Sequence, residues 1–244
     1  NASPYQDSKF FAREKRILEG IPNSKYLSSL RELDPNTPVI LITNTHTAPE
    51  DIAPALLEQT VLMIHPNSGH DNYKKEFVRN ANFPIILGNP IRSHAVFEYT
   101  LSCLFHHFIQ VPSHQHWSDK REWNRKLLRD QKVLILGYGH IGKLLEKTLK
   151  TICQSVTVVD PYVKEKGVLT NLNNDHLKDI NILIAAASLT KSSYKMIKSD
   201  ELKKLNPEVV VINPARGGII CEKSLTHFLQ QNPQAKAFLD VFEE

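Results

Sequence analysis

The sequence lacks most of what would carry it out of the ordinary globular class. Only three of its 244 residues are cysteines, Cys103, Cys153 and Cys221, far apart and without a CxxC. That excludes a disulfide scaffold and fits free thiols in a reducing, cytoplasmic compartment. No run approaches the roughly 20 apolar residues needed to cross a bilayer; Ala95 to Val111, the most apolar long stretch, is interrupted by Glu98, His106 and His107. No signal-peptide pattern, internal repeat or low-complexity tract is visible, so no membrane partner is expected. Charge of one sign is not in excess: 30 Lys+Arg against 26 Asp+Glu leave a net +4, scattered along the chain. A nucleic-acid binder usually shows a clustered basic face, so none is expected as a partner. The 11 histidines show no zinc-like spacing, and no metal is expected. His46, His65 and His94 simply fall near strand ends or helix starts. What is there, 41% apolar, 23% charged and 8% aromatic residues, suits a packed core in one large domain or two smaller ones.

Short apolar runs alternate with polar helical stretches. Strands are expected at 38–43, 61–65 and 83–88, with helices at 49–58 and 73–80 between them. Such alternation builds βαβ units and a parallel sheet. A long helix follows over Ser93 to Gln110, with Ser93 as its N-cap. Its apolar positions run nearly all round, which reads as a helix buried between domains or subunits. The polar loop from Pro112 carries Trp117 and Trp123. They are either a subunit contact or a cover for the edge of the core. The second half alternates more cleanly, with strands at 132–137, 155–160, 181–186, 209–213 and 235–242 and helices at 141–152 and 222–230.

The strand ending at Leu136 runs into Gly137-Tyr-Gly-His-Ile-Gly142, a G-x-G-x-x-G that opens a helix. Asp160, eighteen residues beyond Gly142, closes the next strand. This is the order of the dinucleotide fingerprint, with its acid at about twenty residues. Gly137 permits the tight turn, Gly139 the approach of pyrophosphate, and Gly142 the packing of helix on strand. His140 and Ile141 would offer backbone N–H groups at the helix start, where the dipole favours phosphate. Asp160 would accept from the ribose hydroxyls and repel a 2′-phosphate, so NAD is the expected cofactor.

Several further segments are similar to the D-isomer-specific 2-hydroxyacid dehydrogenases: Ser188-Leu-Thr190, Val211-Ile-Asn-Pro-Ala-Arg-Gly-Gly218 and Leu239-Asp-Val-Phe-Glu243, with Asn67-Ser-Gly-His-Asp-Asn72 and Ala95-Val-Phe-Glu98 upstream. The resemblance implies an α/β protein of two Rossmann-like domains. A flavodoxin-like substrate domain would span 1–92 and a doubly wound NAD-binding domain 93–244, with a hinge near Asn89–Ser93. It implies that Arg216 orients a 2-keto acid, and that Asn67, Ser68, Gly69 and His70 surround the substrate carboxylate. Ser188, Pro214, Ala215 and Arg216 would lie along the cofactor, and Asp240 would hold the nicotinamide carboxamide.

The implied activity is hydride transfer between NAD(H) and a small 2-keto or D-2-hydroxy acid. The apolar helix over 93–110 and the two-tryptophan loop point to a homodimer. Pyruvate, glyoxylate, hydroxypyruvate and phosphoglycerate-like acids all stay open as substrates. The alternative is an NAD-binding regulatory, corepressor-like protein of the same fold without turnover. The family's acid–base glutamate would be residue 245 and its histidine later still. The chain starts at Asn1, not Met, and stops after Glu243-Glu244. It therefore reads as a piece of something longer.

Overall fold

Wholly apolar strands form where a parallel sheet buries both of its faces. A computed structural model describes residues 8–27, 33–44, 47–66, 69, 72–87, 90–109, 119–120 and 126–243. The chain divides into two compact units, Asn1–Ile91 and Arg92–Glu244.

The first unit contains α1 (Ser8–Glu19), β1 (Val39–Ile42), α2 (Pro54–Gln59), β2 (Thr60–Ile64), α3 (Lys75–Asn80) and β3 (Ile85–Ile86). Its sheet has the order β1-β2-β3, both pairings parallel. The helix expected over 49–58 is shorter than expected. Pro49–Asp51 form one 3₁₀ turn, and α2 begins afresh at Pro54. Proline has no N–H to continue a helix but suits a first turn. The strand expected over 83–88 pairs only through Ile85 and Ile86, opposite Met63 and Ile64.

The second unit runs α4 (Ser93–Phe108), β4 (Lys132–Leu136), α5 (His140–Ile152), β5 (Ser155–Val159), β6 (Val168–Leu169), α6 (Asp175–Lys178), β7 (Ile182–Ala185), α7 (Ser199–Leu202), β8 (Val210–Asn213), α8 (Glu222–Gln231) and β9 (Lys236–Leu239). Its six strands are all parallel, in the order β6-β5-β4-β7-β8-β9. Alternate residues of the central strands feed two cores. Leu134, Leu136, Leu183, Ala185 and Val211 join α7 and α8 through Leu202, Leu225 and Phe228. Val133, Ile135, Ile182, Ile184 and Ile212 join α4 and α5 through Leu104, Phe108, Leu145 and Leu149. Each fully buried Leu or Ile contributes about 1.5–3 kcal/mol.

Two expectations about α4 need correction. It is not buried all round: Thr100, Leu104 and Phe108, one turn apart, face inward with Cys103, while Phe105 and Ile109 are exposed. Nor is Ser93 the N-cap. Arg92 takes that position, and the buried Ser93 hydroxyl has no hydrogen-bond partner among the described residues. Trp117 and Trp123 lie outside the described residues.

Candidate functional site

In an all-parallel sheet every strand ends on the same edge. The loops that follow β4, β5, β7, β8 and β9 therefore share one rim of the second unit. From β4 the chain winds outward through β5 to β6, then returns to β7 on the other side of β4. That reversal is the switch point where open α/β sheets form a crevice.

At the end of β4 the glycines are demanded by geometry. Gly137 has φ +104°, and a Cβ there would stand 2.6 Å from Ala187 Cα. A Cβ on Gly142 would stand 2.2 Å from the Gly137 carbonyl oxygen, so the helix sits directly on the loop. Gly139, the N-cap of α5, differs: a Cβ there would meet nothing within 4 Å. The amide end of a helix thus opens on free space, as a pyrophosphate cradle requires. His140 is exposed, whereas Ile141 is half-buried against the core.

Asp160 follows β5. Its Oδ2 accepts from Tyr138 N–H at 2.8 Å and its Oδ1 from Tyr162 N–H at 2.9 Å. Each oxygen keeps acceptor capacity for a ribose hydroxyl. After β7, the buried Ser193 shapes the loop carrying Ser188: its hydroxyl donates to Ser188 O at 2.7 Å and accepts from Thr190 N–H at 2.8 Å.

After β8, Asn213 does the equivalent work. Buried, it accepts from Ala215 N–H at 3.2 Å through Oδ1 and donates from Nδ2 to Arg216 O at 2.9 Å. Pro214 and Ala215 are buried by this turn, and Arg216 is half-buried with Nη1 donating to Ala215 O at 2.8 Å. A Cβ on Gly217 would lie 2.0 Å from Phe242 O, so only glycine lets the segment after β9 approach. Asp240 is exposed, tied back through its N–H to Asn213 O at 3.1 Å. Its charge reaches α4: the Tyr99 phenol is pushed up to about 12 by burial, then by Cys103 and Asp240.

In the first unit, Asn67, Ser68 and His70 lie outside the described residues; Gly69 is described. What holds Gly69 is a buried polar chain. His65 is fully buried, with Nε2 3.1 Å from Gly69 O and Nδ1 2.9 Å from Thr43 Oγ1. Tyr73 O–H donates to Thr43 Oγ1 at 2.6 Å. A carbonyl only accepts, so in the neutral ring the proton sits on Nε2 and Thr43 donates to Nδ1. Burial pushes the Tyr73 phenol up, partly offset by the Thr43 bond. Asn72 Nδ2, donating to Thr47 O at 2.8 Å, ties down the far side.

The second unit is thus a dinucleotide-binding domain of the doubly wound class. Residues 101–244 match the family model described as D-isomer specific 2-hydroxyacid dehydrogenase, NAD binding domain. The chain belongs to that family, and NAD is the cofactor of this domain. It is 23% identical over 243 residues to a D-3-phosphoglycerate dehydrogenase of Methanocaldococcus jannaschii, covering 95% of this chain and 45% of that protein. It is 28% identical over 198 residues to a glyoxylate reductase of Pyrococcus furiosus, covering 72% of this chain and 57% of that protein. The chain spans about half the length of these curated relatives. In fold it is similar to the NAD+-bound 3-phosphoglycerate dehydrogenase of Entamoeba histolytica, with a TM-score of 0.68 at 19% identity, covering 83% of this chain and 64% of that one. It is similar also to a D-lactate dehydrogenase of Aquifex aeolicus solved with NAD and lactic acid, with a TM-score of 0.67 at 17% identity, covering 99% and 76%.

The dinucleotide motif residues come together on the rim with Ser188, Arg216 and Asp240. Sequence reasoning missed Asn213 and Ser193, which shape the two loops beside them. Asn213 had a signal: it is the polar end of a strand that is otherwise Val-Val-Val-Ile.

Proposed function

We propose that the chain supplies the NAD-binding half, and part of the substrate half, of an oxidoreductase interconverting small 2-keto acids and D-2-hydroxy acids. The observation that carries this is Arg216 presented by a buried asparagine turn on the same rim as the Gly137–Gly142 loop and Asp160. The relatives named for phosphoglycerate, glyoxylate and lactate share the 2-hydroxy or 2-keto acid motif, which supports that substrate class.

In this reading the α5 amide end at Gly139 holds the pyrophosphate and Asp160 the ribose hydroxyls. Asp240 holds the carboxamide, while Ser188, Pro214 and Ala215 wall the cofactor. NAD(H), when bound, supplies or accepts a hydride at nicotinamide C4. Arg216 grips the substrate carboxylate or keto oxygen with its planar fork and stabilises charge growing on that oxygen. Asn67, Ser68, Gly69 and His70 are assigned to the substrate carboxylate. Residues 1–92 form the flavodoxin-like substrate domain and 93–244 the NAD domain, hinged near Asn89–Ser93, in a cytoplasmic enzyme with free thiols.

The partner proposed is a second copy of the chain. Leu101, Phe105 and Ile109 line one open face of α4 with Glu98, Ser102 and His106. In an antiparallel pair centred on Ser102, Glu98 of one copy meets His106 of the other. A monomeric mass by light scattering contradicts the dimer.

The test of function is Arg216→Ala in the full-length protein. Keto-acid-dependent NADH oxidation should fall at least about 10³-fold, while NADH affinity stays within about threefold. Unchanged turnover contradicts the proposal.

A further inference from the structure

Tyr138 is held at both ends. Its backbone N–H donates to Asp160 Oδ2 at 2.8 Å, and its phenol donates to Glu146 Oε2 at 2.6 Å. Glu146 stands about one turn beyond Gly142 on the face of α5 that buries Gly142, Leu145 and Leu149, and is only 9% exposed. Its other oxygen accepts from Lys150 Nζ at 2.6 Å. Lys143 Nζ lies 5.0 Å over the Tyr138 ring and pairs with Glu165 at 2.6 Å. The second residue of the glycine loop is therefore anchored at its tip, covered on its face and tied at its backbone.

A carboxylate on a buried helix face costs desolvation. An i,i+4 Glu–Lys pair forms as well in solvent, contributes about 0.3–0.5 kcal/mol and needs no tyrosine. The stability of α5 therefore does not explain the arrangement. Burial pushes the Glu146 carboxyl up, but the Lys150 and Tyr138 bonds outweigh it and leave it below the usual carboxylate range. The bond to Glu146 in turn pushes the Tyr138 phenol up to about 12. The contact is an O–H···O⁻ bond, of the stronger charge-assisted kind, intact across neutral pH.

We propose that Glu146 and Tyr138 are a positioning pair for the dinucleotide. Their bond holds the Gly137–Gly142 loop in the shape that opens the α5 amide end, and through Tyr138 N–H it fixes the Asp160 carboxylate toward the ribose. Neither residue touches the reacting atoms. Both act by removing motion that would otherwise have to be frozen when the cofactor binds. The inference rests on NAD binding by this domain and on the ribose role of Asp160, and is independent of which acid is the substrate.

The test is NADH and NADPH binding by fluorescence titration, with thermal unfolding alongside, for the wild type, Tyr138→Phe, Glu146→Gln, Glu146→Leu and the double variant Tyr138→Phe/Glu146→Gln. Tyr138→Phe should weaken NADH about tenfold, the scale of one hydrogen bond to a charged group. It should also narrow the NADH-over-NADPH preference at least about threefold, a readout that a merely structural role would not move. Glu146→Gln keeps an acceptor for the phenol and should lose less than Glu146→Leu. The double variant should bind NADH no worse than Tyr138→Phe, because Glu146→Gln acts on a bond that Tyr138→Phe has already removed. A lowered unfolding temperature with unchanged NADH affinity overturns the proposal, as does full additivity in the double variant. Weakened NADH binding at an unchanged NADH-over-NADPH preference overturns the Asp160 half of it.

Discussion

The two units solve the same problem with different materials. In the second, β7 and β8 are buried along their whole length, and consecutive side chains feed an apolar core on each face. In the first, the pairing puts Ile40, Ile42 and Ile86 on one sheet face, where they are 59%, 47% and 43% exposed. Its interior is partly polar, through Thr43, His65 and Tyr73. Burial on two faces makes a rigid platform whose strand ends carry the cofactor loops. The smaller sheet uses directed hydrogen bonds to hold one loop. The lesson is that position comes from packing in one unit and from polar connectivity in the other.

That contrast can be tested by substitution. The largest effect is expected at Gly137→Ala. It combines a left-handed φ with a backbone clash at Ala187, so denaturant unfolding should show a loss of about 4 kcal/mol and NADH binding should vanish. Ile184→Ala opens a cavity between buried strands and should cost about 2–5 kcal/mol by the same measurement. Its counterpart Ile40→Ala, on the open face, should cost less than about 0.5 kcal/mol; equal losses would erase the distinction between the sheets. Thr43→Val strands His65 Nδ1 and the Tyr73 hydroxyl and should cost about 2 kcal/mol, raising the keto-acid KM more than the NADH Kd. The smallest effect concerns pH. Burial, with Lys126, Lys236 and His106 nearby, holds His107 below its ordinary 6.5. The unfolded chain then binds more protons just below pH 6.5, so this contribution is complete above 6.5 and is lost as pH falls toward the lowered native value. His107→Gln should flatten the acid side of the stability profile, and an unchanged slope would show that the shift is absent.

Legibility in the sequence followed the same divide. Five of the six described strands of the second unit were readable because a two-sided core demands apolar runs, while the two-residue edge strand β6 was not expected; the glycine loop was readable because steric need admits no other residue at Gly137. In the first unit, Pro54 split an expected helix and the strand before Gly88 shrank to two residues, since short half-exposed elements carry a weak pattern. The exposed face of α4 was misread because an apolar composition does not say which apolar residues find a partner. Asn213, Ser193 and Glu146 act through directed bonds to residues near in space, and such bonds leave no periodicity. Glu146 left one trace, a carboxylate between Leu145 and Leu149 on the buried face of α5.

The rim of the second unit is proposed as an NAD site with Asp160 as its ribose acid. Titration of the protein with NADH and NADPH side by side tests it most directly. Saturable NADH binding at least about tenfold tighter than NADPH is expected, from the repulsion between Asp160 and a 2′-phosphate. Equal affinity for the two, or tighter binding of NADPH, would contradict it.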